Sequence, residues 1–159
     1  MPRRSRPCLW LVAPPAKQRR GGACARPTAE RQKAVVRRYY EEVLTGRRLS
    51  VLEQLIAPEF VGHDPVGARM DRPGYIDAVR MWHDGFRRMV VRIDDQVAEG
   101  RLVTTRWSAT GTHTGRFVGI EPTGREVTMS GIDIHRLEGD RIAELWEQLD
   151  LASLLAQML

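Results

Sequence analysis

From Thr28 onward, apolar residues recur first at helical and then at strand spacing. Val35, Val36, Tyr39, Tyr40, Val43 and Leu44 mark one face of an amphipathic helix, with Thr28 placed as N-cap and Gly46 as the stop. A short second helix is predicted from Leu49 to Ile56, ending before Pro58. A third, from Arg72 to about Arg88, presents Ile76, Val79, Trp82, His83 and Phe86 on one side. The period then drops to two. Met89 to Ala98, Leu102 to Thr112, Arg125 to Leu137 and Arg141 to Leu149 are β-branched or alternating. Glu99-Gly100, Gly111 to Gly124 and Glu138-Gly139-Asp140 supply the turns between them. Helices that must bury a stripe, followed by a meander of antiparallel strands, predict an α+β domain in which a curved sheet wraps around three N-terminal helices as a cone. Such a cone can enclose a pocket with apolar and aromatic walls, the usual make-up of a small-molecule site.

Charge divides the chain at Glu30. Before it stand Arg3, Arg4, Arg6, Lys17, Arg19, Arg20 and Arg26 with no acid, whereas the whole chain has 25 Lys and Arg against 20 Asp and Glu. Removing those seven leaves 18 basic residues against the same 20 acids, so residues 30–159 sum to −2. The folded part is therefore not expected to bind nucleic acid. Residues 1–29 read as a disordered basic extension and 30–159 as a single domain, long enough for a real core. Cys8 and Cys24 both lie in the extension, which removes thiol chemistry from the domain. The apolar run Cys8 to Ala13 is too short to span a membrane, so no membrane partner is expected and the cytoplasm is the expected location.

The stretch Trp107 to Asp133 concentrates the candidate chemistry. His113 lies between Gly111 and Gly115, where small neighbours allow a close approach, and Trp107 shares its parity on the same strand. His63 precedes Asp64-Pro65 at the end of a strand and is a second candidate for the pocket. Trp82, Phe86, Trp107 and Trp146, with Tyr39 or Tyr40, could offer flat surfaces to a ligand or simply form core. No pair of histidines shows metal-ligand spacing, so no metal is expected.

The segments Ala34 to Gly46, Phe60-Val61-Gly62-His63-Asp64-Pro65, Gly111-Thr112-His113-Thr114-Gly115, Pro122-Thr123-Gly124, Gly131-Ile132-Asp133-Ile134 and Trp146-Glu147-Gln148-Leu149-Asp150 together resemble the SnoaL-like polyketide cyclases, also called ester cyclases, of the nuclear-transport-factor-2-like fold. That resemblance implies a cofactor-free enzyme that closes a ring by intramolecular aldol condensation of a hydrophobic, polyketide-like substrate, and a homo-oligomer. It also implies an acid/base on the last strand and a partner on the strand before it, positions held here by Glu147 and Asp133. The residue types differ from the family's Asp and His. Two carboxyls in one pocket should push one pKa upward and so make an acid/base pair. Asp133, Glu147 and His113 are thus the catalytic candidates, and His63, Tyr40, Trp82, Phe86, Trp107 and Trp146 the substrate-binding ones.

Whether Glu147 shares a face with Asp133 depends on the hairpin between them. A three-residue loop Leu137-Glu138-Gly139 puts them on one side, and a two-residue loop Glu138-Gly139 puts them on opposite sides. In the bland alternative Glu147 is solvated and Asp133 is neutralised by Arg106, Arg136 or Arg141. The same fold hosts cofactor-free epoxide hydrolases, isomerases and hydroxylases, and a non-catalytic ligand-binding or dimerising module stays open beside them.

Overall fold

Thr28 opens the first helix as its position suggests, its hydroxyl accepting a hydrogen bond from the Arg31 N–H at 3.3 Å. The computed structural model describes residues 28–159, so the basic extension and both cysteines lie outside the described residues. Helix α1 runs Ala29–Arg38, and at Tyr39 its hydrogen bonding widens into a π-helical segment, Tyr39–Thr45. A regular helix was expected here. The wider turn leaves the consecutive residues Tyr39 and Tyr40 both buried against the sheet, and such segments are often found at functional sites. Gly46 ends the segment for a steric reason, since a Cβ there would stand 2.6 Å from the Glu42 carbonyl oxygen. Next comes Arg47, at φ 57°, whose guanidinium donates to the carbonyls of His83 at 2.6 Å and Phe86 at 2.9 Å.

Helix α2 (Leu49–Leu55) leads into strand β1 (Ile56–His63), and a short return strand β2 (Arg69–Asp71) leads into α3 (Arg72–Gly85). Asp71 caps α3 by accepting from Gly74 N–H at 2.9 Å. The remainder is β3 (Phe86–Glu99), β4 (Leu102–His113), β5 (Glu126–Glu138), β6 (Arg141–Leu149) and α4 (Leu151–Met158). Phe86 opens a strand instead of closing a helix. It lies four residues after Trp82 and so fits the helical stripe, but Arg47 takes the carbonyls that would continue the helix. Helix α4 was not foreseen, although Asp150 caps it through Ser153 N–H at 3.0 Å and Leu151, Leu154, Leu155 and Met158 have the spacing of a buried stripe.

The six strands form one curved sheet in the order β2-β1-β6-β5-β4-β3. All neighbours run antiparallel except β1 and β6, which are parallel, so the sheet is mixed. Its concave face and the helices share a core that includes Val36, Tyr39, Leu52, Phe60, Val103 and Leu145.

The β5–β6 hairpin follows neither anticipated loop. Glu138 pairs with Arg141 across a two-residue turn in which Gly139 takes φ 61°. That turn alone would place Glu147 on the convex face. Leu137 pairs with Ile142 but Arg136 pairs with Glu144, so Ala143 is an extra residue, a β-bulge, with Ile142 and Ala143 buried in succession. The bulge shifts the register by one, and Asp133 and Glu147 become directly opposed.

Candidate active site

Directly opposed residues of an antiparallel pair project to the same face, with Cβ atoms about 4.5–5.5 Å apart. Here that face is the concave one, and both carboxyls line a cavity of about 70 Å³. Tyr39 reaches it from the π-helical segment, Tyr75 and Trp82 from α3, and Trp107 from β4, and most of the other wall residues are apolar, among them Leu44, Val79, Val91 and Met129. Asp133 is 2 % exposed. Glu147 is partly accessible, and it owes this to the cavity, since the carboxyl lies deep in the molecule.

Each acid has its own tyrosine. The Tyr40 hydroxyl donates to Oδ2 of Asp133 at 2.6 Å. The Tyr75 hydroxyl donates to Oε1 of Glu147 at 3.1 Å and is itself hydrogen-bonded to the Tyr39 hydroxyl. Burial, with the nearby carboxyls, pushes the pKa of all three phenols well up, which keeps them neutral donors. Oδ1 of Asp133 and Nε1 of Trp107 are buried without a well-formed hydrogen bond, yet the indole is near enough to favour the aspartate anion. Gly131 makes room for that indole: a Cβ there would stand 2.6 Å from the Trp107 ring and 2.5 Å from the Gln148 carbonyl oxygen.

Among the described residues, no arginine neutralises the pair. Arg106 is engaged by Asp94 and Asp95, and Arg136 by Glu138 and Glu144. Desolvation raises the Asp133 pKa to about 6, held from going further by hydrogen bonds led by that from Tyr40. Desolvation first and then the Asp133 charge raise Glu147 to about 8, with Asp64 adding to the rise and Tyr75 opposing it. At neutral pH the two acids therefore share one negative charge, and the larger set of donors around Asp133 favours that group as its carrier.

The other candidates are distributed differently. His113 is fully buried, but its ring packs tilted against Phe86 at 5.5 Å and its Nδ1 is 3.1 Å from the Thr123 hydroxyl, away from the cavity walls. The G-T-H-T-G and P-T-G pieces thus meet each other in a staple on the loop after β4. Gly115 belongs to the same staple, because a Cβ there would meet the Asp84 carbonyl oxygen at 2.1 Å. Phe86 is core, packed on Trp82 and Phe117. His63 and Trp146 stack at 5.3 Å with parallel rings, and His63 Nε2 lies 3.0 Å from Glu144, whose strand position is on the convex side. Tyr40 stands behind Asp133 instead of in the wall, and Trp82 and Trp107 are in the wall. Tyr75 was missed, although it lies four residues before Val79 and seven before Trp82 on the same stripe. His135 and His83 are buried. His135 packs edge-on to Tyr39 and Tyr40, and burial pushes its pKa down to about 3. His83 bonds to the Val43 carbonyl at 3.0 Å. Among the described residues, no three His, Cys, Asp or Glu side chains are grouped so as to hold a metal ion, and no helix is long and apolar enough to cross a membrane.

Residues 34–158 match the family model described as SnoaL-like polyketide cyclase. The chain belongs to that family. Among solved SnoaL-like structures, one from Jannaschia sp. CCS1, provisionally named a SnoaL-like polyketide cyclase, superposes with a TM-score of 0.78 at 20 % identity, over 83 % of this chain and 94 % of that one. IdmH from Streptomyces antibioticus, provisionally named a polyketide cyclase, gives a TM-score of 0.70 at 32 % identity, over 79 % of this chain and 96 % of its own. AclR from Streptomyces galilaeus, provisionally named a hydroxylase, gives 0.76 at 20 % identity, over 82 % of each chain. No protein with a curated description matches the chain. The SnoaL-like fold is thereby shown, and the chemistry run in the cavity remains to be argued from its side chains.

Proposed function

We propose that this SnoaL-like protein catalyses a cofactor-independent intramolecular aldol closure, or a closely related proton transfer, on a small carbonyl compound. One observation carries the reading: two carboxyls of unequal basicity face a single, largely apolar cavity from adjacent strands. Asp133 is the base. Its Oδ1, which has no well-formed hydrogen bond, takes a proton from carbon next to a carbonyl, and the electron pair left behind delocalises onto the carbonyl oxygen as an enolate. The enolate carbon attacks a second carbonyl carbon in the same molecule, forming the ring C–C bond while the π pair of that carbonyl moves to its oxygen. Glu147 gives its proton to this new alkoxide. Asp133 has then gained one proton and Glu147 has lost one, and transfer between the opposed carboxyls restores the starting state.

The assay uses hexane-2,5-dione, a neutral compound that can close to a five-membered ring, in D₂O. The protein is expected to speed both deuterium entry next to the carbonyls and ring closure, and Asp133→Asn and Glu147→Gln to lower those rates by about 10²–10⁴-fold, the usual weight of general acid/base catalysis. Unchanged rates in both variants would remove the mechanism.

A further inference from the structure

A pocket with two acids and no base opposite them has a preference of its own. Among the described residues, no Lys, Arg or His lines the cavity, while Tyr39, Tyr75, Trp82 and Trp107 give it aromatic walls. Asp133 is 98 % buried and belongs to a wall of the empty space, yet its Oδ1 has no well-formed hydrogen bond. A buried carboxylate oxygen without a donor is costly, and a ligand that brings a donor relieves the cost. A ligand that brings a positive charge relieves more, because charge-assisted hydrogen bonds are stronger and ring faces attract cations. Asp64, in the β1–β2 connection beside Pro65, adds a third acid near Glu147.

We propose that this cavity binds a small protonated amine, its ammonium donating to Asp133 Oδ1 and Glu147 and its carbon chain lying against Trp82 and Trp107. The substrate is on this view a carbonyl compound bearing a basic nitrogen, and free carboxylates and phosphates are excluded from the cavity. The inference rests on the proposed function for the identity of the reacting pair.

Binding has a proton signature. The ammonium lowers the cost of ionising Glu147, so binding near neutral pH expels the proton shared by the acids. The groups facing that event are Tyr39 and Tyr40 from the π-helical segment, Asp64 from the β1–β2 connection, Tyr75 from α3, and His135 beside Asp133 on β5; β3 and β4 contribute only uncharged side chains. The phenols and His135 are neutral near pH 7, so the exchanged proton comes from the carboxyl pair.

The test compares butylamine, butan-1-ol and butanoate, probes of one length that differ in charge. Each is titrated calorimetrically into the whole chain at pH 6 and pH 8.5 in two buffers of different ionisation enthalpy. Butylammonium is expected to bind roughly tenfold or more tighter than butanol, in line with a cation set between acids and rings. Butanoate is expected not to bind. The amine should bind more tightly at pH 8.5, and its heat at pH 6 should depend on the buffer because a proton is released. Glu147→Gln should reduce that buffer dependence to the part carried by Asp133, and Asp133→Asn should weaken the amine without weakening the alcohol. Equal binding of amine and alcohol, tighter binding of butanoate, or amine binding unchanged in both variants would overturn the proposal. These titrations need no turnover. Hexanedione closure without amine selectivity removes only this inference, and amine selectivity without closure removes only the proposed reaction.

Discussion

Asp133 and Glu147 are both raised first by desolvation, and each has a tyrosine hydroxyl that opposes the rise. A donor aimed at a carboxylate favours the charged form, so its removal raises the pKa. Tyr40→Phe is therefore expected to move the acidic limb of the pH–rate profile upward by roughly a unit, and Tyr75→Phe to move the alkaline limb upward, each with little change in the other limb. A uniform drop in rate with both limbs unmoved would show that the phenols only pack. The family resemblance marked Asp133 and Glu147 through G-I-D and the final strand, but not the register that brings them to one cavity. Tyr75 was not, because α3 reads equally well with Ile76 at the head of its apolar face, and only the packed helix shows which residue looks inward. His113, a histidine flanked by glycines, could be read equally as a pocket or a turn residue, and it lies where a loop closes: Gly115 is small because Asp84 is close.

Two irregular elements assemble the site, and periodicity cannot announce either. The strand spacing of β6 was read with the right ends, yet its facing depended on one extra residue, Ala143, inside an otherwise ordinary alternation. Deleting Ala143 is expected to return the hairpin to regular pairing, turn Glu147 to the convex side and give a rate loss comparable to Glu147→Gln. Because register sets every side chain beyond the bulge, fluorescence of Trp146 should blue-shift as it turns inward. A deletion variant with full hexanedione turnover would contradict the register account. The His113 staple makes the opposite kind of prediction. His113→Ala removes a buried partner of Thr123 and should cost about 1–3 kcal/mol of stability, seen in thermal melts, while turnover per folded molecule stays unchanged. A large loss of turnover with an unchanged melting temperature would place His113 in the chemistry after all.

Over the whole molecule, the carboxyl pair links protonation to folding. In the unfolded chain both groups titrate near the ordinary value of about 4, whereas in the fold they titrate near 6 and 8. The folded state thus keeps protons that the unfolded state releases, and the stability this provides is complete below about pH 4 and is lost as pH rises through 6 and then 8. Glu144, held low chiefly by His63 with help from Arg136, acts in the opposite sense on the acid side, and so do His83 and His135, whose pKa values burial lowers, so the informative range is pH 7 to 9. The melting temperature is expected to fall across that range, and Glu147→Gln should flatten the fall. An identical slope in that variant would show that the pair is not the source. At this scale the α+β cone was readable from the change of period after α3. The parallel contact of β1 with β6 was not, because nothing local in either strand names a partner more than seventy residues away.

That contact also sets an order of events. Strand β6 enters between β5 and β1, and it is the last of the six strands to be synthesised. A nascent chain that has made everything up to β5 already contains Asp133, with Tyr40 to hold it, but has no second acid and no closed wall. The acid/base pair comes into being when the two ends of the fold join, so a partly made copy has neither the proton donor nor the enclosed space to act on a carbonyl compound. Long-range pairing of this kind is slow to form. On the proposed reading, that pairing is also the step that completes the catalytic pair.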